Sequence, residues 1–126
     1  MDLPAVRQPV LDRRAEILAG LAAILPKDAV IRDPAALRAY ECDALSAYRC
    51  PPMAVILPRT TAEVSAALAY LHGQEVPVVP RGAGTSLAGG AMPTADAVLI
   101  GLARMTSVIE VDYANRFIRV EAGRTN

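Results

Sequence analysis

The sequence predicts an α+β fold in which N-terminal helices are followed by a βαβ unit and a mixed sheet. Apolar residues recur at helical spacing from Leu11 to Leu25. Two short apolar runs, Met53 to Leu57 and Val76 to Val79, flank another helical pattern, and strict alternation near the C-terminus indicates a hairpin. We therefore expect a helical segment over residues 1–49 and a sheet-containing part over residues 50–126.

Composition argues against several classes of function. Lys plus Arg number 13, and so do Asp plus Glu, so the chain has no net positive charge that would attract nucleic acid or an anionic membrane. The only histidine is His72, and Cys42 and Cys50 lack metal-ligand spacing, so we expect no zinc site. The start of the chain lacks the apolar stretch of a secretion signal, which predicts a cytoplasmic protein with free thiols. No apolar run is long enough to span a bilayer.

The N-terminal part predicts two helices and a linker. The amphipathic helix over Leu11 to Leu25 ends at Pro26, and it either packs on its own domain, which we favour, or binds a partner. Asp33 is an N-cap followed by proline at the first helical position, so Ala35 to Tyr40 should form a short helix. Glu41 to Arg49 is predicted to be a linker whose polar residues make local hydrogen bonds, which we favour over direct contact with a ligand.

The middle of the chain predicts the βαβ unit. Met53 to Leu57 suits a strand that is buried on both faces. Thr60 and Glu63 form a capping box for a helix over Thr61 to His72, with Gly73 at the C′ position. Its core face contains Val64, Ala67, Leu68 and Leu71. His72 is a helix-end residue rather than a general base, and the strand over Val76 to Val79 should run parallel to the first through a right-handed connection.

The last third predicts three more strands. Ala97 to Ile100 forms one, which the apolar residues from Leu102 to Met105 continue. Val108 to Asp112 and Arg116 to Glu121 alternate on either side of a turn, so they form a hairpin. The side chains expected to face the core are Ile109, Val111, Ile118 and Val120, with Glu110, Asp112, Arg119 and Glu121 in water.

The candidate site is the glycine-rich stretch from Val78 to Pro93, which holds four of the eight glycines. Glycine and other small residues after a strand allow successive backbone N–H groups to point inward. The N–H groups then form a concave binding site, or nest, for an anion such as a diphosphate. Thr85 and Ser86 add hydroxyl donors and Arg81 adds a cation. A P-loop would need Lys where Gly90 stands, and a dinucleotide-binding fingerprint would need Gly in place of Leu87.

As a whole, Arg81 to Gly90 resembles the diphosphate loop of the FAD-binding domain in the vanillyl-alcohol oxidase and p-cresol methylhydroxylase (PCMH) superfamily. It is most similar to the flavoprotein subunit of bacterial glycolate oxidases and related D-2-hydroxy-acid dehydrogenases. The similarity extends to Tyr40–Tyr48 and to the segment from Leu102 to Gly123. The resemblance implies that residues 50–126 are the first part of a PCMH-type FAD-binding domain, and that the chain is an N-terminal fragment.

The resemblance implies FAD as cofactor and oxidation of a small 2-hydroxy acid, glycolate or D-lactate, to the 2-oxo acid. Electrons would pass to an iron–sulfur partner subunit or a quinone, and such partners would associate the protein with the membrane. The implied cofactor-binding residues are Pro58, Pro80, Arg81, Gly82, Ala83, Gly84, Thr85, Ser86, Gly89 and Gly90. The family's catalytic residues lie beyond Asn126, so we assign none and expect the fragment alone to be inactive.

Three other interpretations remain open from the sequence. The loop could be an ordinary glycine-rich connector without a ligand. The chain could be a non-catalytic α/β module that binds a nucleotide or phosphate. It could also be a truncated product that never acquires flavin. A second glycine-rich segment beyond Asn126 would favour the oxidoreductase.

Overall fold

The computed structural model describes residues 5–125. Two helices begin the chain, α1 (Gln8–Asp12) and α2 (Arg14–Ile24), where the sequence predicts one helix over Leu11 to Leu25. Arg13 leaves helical geometry between them, and its guanidinium donates hydrogen bonds to Gln74 Oε1 at 2.9 Å and Gln74 O at 2.8 Å. The helical pattern is therefore confirmed, but Arg13, which hydrogen-bonds to Gln74, divides it into two helices.

A short strand follows the helices, which the prediction of a purely helical N-terminal segment missed. A 3₁₀ turn (Lys27–Ala29) leads into β1 (Val30–Ile31), and β1 pairs antiparallel with a later strand. Asp33 caps α3 (Pro34–Leu37) as expected, since its carboxylate accepts from the Ala36 N–H at 2.9 Å. The predicted short helix then tightens into a 3₁₀ turn over Arg38–Tyr40.

The central sheet contains four strands in the order β1-β2-β4-β3. Its remaining members are β2 (Ala54–Ile56), β3 (Val78–Arg81) and β4 (Val98–Gly101). All pairs are parallel except that of β1 with β2, so the α+β class with a mixed sheet is confirmed. Strand β4 lies between the two strands of the βαβ unit, which are parallel as predicted but not adjacent.

The helix of the βαβ unit is α4 (Thr61–Gly73). Thr60 Oγ1 accepts from the Glu63 N–H at 3.1 Å, whereas Glu63 Oε2 accepts from the Arg59 N–H at 2.8 Å, one residue before the cap. The helix includes Gly73, so the prediction that Gly73 is the C′ residue is wrong; Glu75 has the left-handed φ of 56°. Leu68 is 42% exposed, which corrects its assignment to the core face.

The core occupies both faces of the sheet. Helices α2 and α4 pack on the face of Ala54 and Ile56, where Gly20 approaches so closely that a Cβ there would collide with the Tyr70 ring. Val55 points to the opposite face and packs with Leu37 and Leu99. Because α2 and the sheet share one core, its apolar stripe packs on its own domain. The domain boundary near residue 49 stays a prediction.

The C-terminal hairpin forms a separate sheet of β5 (Val108–Asp112) and β6 (Phe117–Val120). The predicted continuation of β4 into Leu102–Met105 is wrong, because β4 ends at Gly101 and a turn follows. The hairpin itself is confirmed, but its predicted burial is wrong. The apolar side chains with 38–58% exposure are Val108, Ile109, Val111, Phe117, Ile118 and Val120. Strand alternation indicates an apolar face but not what covers it.

The helices between residues 5 and 125 are all too short or too polar to cross a membrane. Cys42 and Cys50 are both free thiols and partly buried.

Candidate FAD diphosphate site

The glycine loop follows the carboxyl end of β3, as predicted. It runs from Gly82 to Ala97 and returns the chain to β4, which pairs with β3 along its length from Val78–Val98 to Arg81–Gly101. The loop therefore begins at the edge of the sheet where the parallel strands β2, β3 and β4 all end. Open α/β sheets place ligands at this edge.

Two of the loop glycines are required by the backbone itself. Gly84 has a φ of +73° and Gly89 a φ of +76°, which is the left-handed region that other residues rarely adopt. By contrast, a Cβ on Gly82 or Gly90 would meet no atom of the described chain within 4 Å. The small size of these two residues therefore leaves open space above the loop that a ligand can fill.

The loop carries a series of free backbone donors. Among residues 5–125, no intramolecular acceptor is found for the backbone N–H groups of residues 82–87, and Ala88 N–H bonds locally to Ser86 Oγ at 3.2 Å. Ala83, Thr85 and Ser86 are solvent-exposed. Successive free N–H groups around a left-handed glycine are the geometry of an anion nest. The arrangement suits a diphosphate, whose oxygens accept several hydrogen bonds at once.

Arg81 has a structural role that its charge alone does not suggest. Its Nη1 donates to Cys42 O at 2.7 Å and to Tyr40 O at 3.4 Å, and the guanidinium lies 5.8 Å from the centroid of the Tyr40 ring. Gly84 packs against the guanidinium, since a Cβ there would lie 2.5 Å from Arg81 Nε. The side chain thus joins the glycine loop to the segment from Tyr40 to Cys42.

The two prolines of the predicted site differ in exposure. Pro58 follows β2 and is fully buried, so its ring is packed within the protein. Pro80 lies in β3, opposite Ile100, and is exposed. Of the two, Pro80 offers side-chain surface beside the loop.

The linker from Glu41 to Arg49 lies against the same loop. A hydrogen bond of 2.7 Å from Cys50 N–H to Glu41 O closes the linker on itself. A Cβ on Gly89 would lie 3.8 Å from Leu45 Cδ2, so the linker also touches the far end of the glycine loop. Asp43, between these contacts, is only 5% exposed. The sequence predicts local hydrogen bonds here, and Asp43 Oδ1 does accept from the Leu45 N–H at 2.9 Å.

Sequence reasoning assigned no role in the site to the segment that follows the hairpin. A groove of about 380 Å³ is lined by Gly82, Ala83, Ala103 and the segment 122–125. Gly123 allows this segment to pack closely against Leu102 and Met105. Its N–H donates to Met105 O at 2.8 Å, and a Cβ there would collide with Leu102 O. The sequence signal is Gly123, two residues after the alternating run that ends at Glu121.

Asp96 fixes the end of the loop before β4. Its Oδ1 accepts from Thr94 Oγ1 at 2.6 Å, and its Oδ2 accepts from the Arg7 N–H at 3.0 Å. Burial acts to raise the pKa of Asp96, but these hydrogen bonds outweigh burial and hold the pKa below its ordinary value. The Asp96 carboxylate therefore links Arg7, which precedes α1, to the end of the loop.

Known proteins match both the sequence and the fold. Residues 52–126 match the FAD binding domain family, and the chain belongs to that family. Glycolate oxidase subunit GlcD of Escherichia coli (strain K12) is 40% identical over 113 residues, which cover 90% of this chain and 23% of that protein. Probable D-2-hydroxyglutarate dehydrogenase, mitochondrial, of Oryza sativa subsp. indica is 35% identical over 100 residues, or 79% of this chain and 18% of that protein.

The solved structure of p-cresol methylhydroxylase with substrate bound has the same fold, with a TM-score of 0.79 over 96% of this chain and 24% of that one, at 19% identity. The PCMH-type fold predicted from the sequence is therefore confirmed. This chain spans about a quarter or less of the length of these proteins.

FAD is the cofactor of this family, and the loop fits it. The free N–H groups of residues 82–87 suit the diphosphate, and the absent Cβ atoms at Gly82 and Gly90 leave room for it. When bound, FAD supplies the two-electron redox chemistry, while the protein contributes orientation and electrostatics.

Proposed function

We propose that this chain holds the FAD diphosphate of a flavoprotein that oxidises a small 2-hydroxy acid, glycolate or D-lactate, to the 2-oxo acid. The single observation that carries the proposal is the run of free N–H groups over residues 82–87, at the carboxyl edge of a parallel sheet. The names of the relatives support the substrate class, since they include a glycolate oxidase subunit and a D-2-hydroxyglutarate dehydrogenase.

The loop residues have distinct roles in this proposal. The N–H groups from Gly82 to Ser86 donate to the phosphate oxygens, and the hydroxyls of Thr85 and Ser86 add two further donors. Gly89 and Gly90 turn the chain back close to the cofactor. Arg81 contributes positive charge while its guanidinium holds the loop against the linker.

The remaining site residues border the nucleotide. We place Pro80 at this border in preference to Pro58, because Pro80 is exposed and Pro58 is buried. Ala83 belongs to the nest and also lines the groove next to residues 122–125. We assign no residue of this chain to the chemical step.

We further propose that the complete protein is cytoplasmic and passes electrons to a partner subunit with an iron–sulfur centre. The word subunit in the name of GlcD supports an assembly. The 126-residue chain alone should hold FAD weakly and show no turnover, because the loop is exposed and a cofactor resting on it keeps one side in water.

The test is to purify the complete natural polypeptide and record its visible absorbance, then assay glycolate and D-lactate with a dye acceptor. L-Lactate is the matched control substrate. We expect a yellow protein that oxidises at least one of the two acids. A flavin-containing protein without turnover would favour the non-catalytic binding module, and a protein that cannot take up FAD would contradict the proposal. Tight FAD binding with turnover by the 126-residue chain would refute its proposed inactivity.

A further inference from the structure

We propose that Asp43 faces the cofactor and that its free carboxylate oxygen accepts a hydrogen bond from a hydroxyl group of FAD next to the diphosphate. This inference rests on the proposed function, because it requires FAD on the glycine loop. It assigns a ligand contact to a linker residue for which the sequence favours local hydrogen bonds over a direct role in ligand binding.

The first observation is an unsatisfied atom. Asp43 is 5% exposed, and within the described part of the chain its Oδ2 is buried without a hydrogen-bond partner. The other buried carboxylate, Asp96, is 2% exposed and has partners on both oxygens, Thr94 and Arg7. Buried polar groups in folded proteins nearly always have a partner, so we expect the free oxygen of Asp43 to accept a hydrogen bond from a donor that the described chain does not supply.

The second observation is the position of Asp43 relative to the loop. The residue before it, Cys42, accepts from Arg81 at 2.7 Å, at the start of the loop. Two residues after it, Leu45 lies 3.8 Å from where a Cβ on Gly89 would be, just beyond the free N–H groups of residues 82–87. Asp43 is therefore held between two contacts that bracket the diphosphate nest.

The chemistry then selects the kind of group that Asp43 contacts. The diphosphate of FAD is esterified at both ends and fully ionised, so it has no donor at neutral pH and repels a carboxylate beside it. The nucleotide carries hydroxyl groups on both sides of its diphosphate, and a hydroxyl can donate to a carboxylate in a charge-assisted bond. Asp43 would thus favour a nucleotide with hydroxyls over bare inorganic diphosphate.

The test compares Asp43→Asn and Asp43→Ala with the control Asp112→Asn in the complete polypeptide. Binding of FAD and of inorganic pyrophosphate to the apoprotein is measured by calorimetry, and apoprotein stability by thermal unfolding. We expect the Asp43 variants to weaken FAD binding about tenfold, the loss of one charge-assisted hydrogen bond. Their pyrophosphate binding should be unchanged or tighter, because a negative charge is removed. Asp112→Asn changes a carboxylate that accepts from the Asn115 N–H at 2.8 Å in the hairpin turn, so it should leave FAD affinity unchanged.

Two results would overturn the inference while leaving the proposed function intact. One is wild-type FAD affinity in both Asp43 variants. The other is an equal loss of FAD and pyrophosphate affinity, which would mean that Asp43 only shapes the loop. If wild-type protein binds no FAD, the proposed function fails and this inference fails with it. The alanine variant is needed because an asparagine amide can itself donate to a hydroxyl oxygen.

Discussion

The guanidinium of Arg81 donates a 2.7 Å hydrogen bond to the carbonyl oxygen of Cys42, so the last residue of β3 is tied to the linker that precedes β2. Gly84 packs on the same guanidinium with its backbone in the left-handed region. The loop, the linker and the strand end therefore form one connected unit. A change at Gly84 should affect both the nest and this connection.

We predict that Gly84→Val abolishes flavin retention in the complete protein. Valine is strained at a φ of +73°, and its Cβ would lie 2.5 Å from Arg81 Nε, so the Arg81 guanidinium must leave its place against the loop or the loop must move. The added methyl groups would also occupy the space proposed for the diphosphate. The measurement is flavin bound per purified protein.

Gly73→Ala is the matched control for this substitution. Gly73 lies in the last turn of α4, and a Cβ there would meet nothing within 4 Å of the described chain. Flavin content should stay at the wild-type level, with stability equal or slightly higher because alanine favours a helix. Normal flavin content in Gly84→Val would refute the assignment of the loop.

Ser86→Ala should weaken FAD binding only several-fold. The substitution removes one neutral hydrogen-bond donor, worth about 1 kcal/mol, and leaves the backbone N–H groups in place. It also removes the local bond from Ala88 N–H to Ser86 Oγ. Ser86→Thr keeps the hydroxyl and serves as the control. FAD titration by fluorescence quenching gives both affinities, and a loss above about a hundredfold would show that the hydroxyl dominates binding.

The sequence predicts those parts of the fold that local chemistry determines. Short apolar runs indicate β2 and β4, and Thr60 with Glu63 indicates the start of α4. The insertion of β4 between β2 and β3 is a non-local pairing that no local pattern encodes. The exposure of the hairpin is also not predictable from a local pattern, because alternation defines an apolar face but does not identify what packs against it.

For the site, glycine content predicts the loop but not the surroundings of each side chain. The engagement of Arg81 with Tyr40 and Cys42 depends on how the linker folds back, as does the unsatisfied oxygen of Asp43. Residues 122–125 line a groove with Gly82 and Ala83, and Gly123 permits close backbone contact with Leu102 and Met105. Each of these contacts joins segments that are far apart in sequence.

We expect the contribution of Asp96 to stability to depend on pH. Its pKa lies below the ordinary value of 3.8 in the folded state, because hydrogen bonds from Thr94 and Arg7 outweigh the opposing effect of burial. A lowered folded-state pKa stabilises the protein above the unfolded-state pKa, and the stabilisation is lost as the pH falls through the folded-state value. The difference in unfolding free energy between wild type and Asp96→Asn should therefore shrink below pH 3.8. A difference that is independent of pH would contradict this role.

We predict that both cysteines are titrated in denatured, unreduced protein, and that Cys50 reacts slowly in native protein. Burial raises the pKa of the Cys50 thiol above its ordinary value of 9.0, so less of the reactive thiolate is present at neutral pH. Alkylation of Cys50 should therefore be slower in the folded than in the unfolded chain at pH 7.5, as followed by peptide mass spectrometry. Equal rates, or no free thiols after denaturation, would contradict the prediction.

The most direct test of the central claim is hydrogen exchange at the amides of residues 82–87 in the complete protein, with and without FAD. These N–H groups have no acceptor in the described chain, so they should exchange rapidly without cofactor. If the nest holds the diphosphate, saturating FAD should slow their exchange at least about tenfold, since each now donates to a phosphate oxygen. FAD binding that leaves these amides exchanging at their original rates would contradict the account.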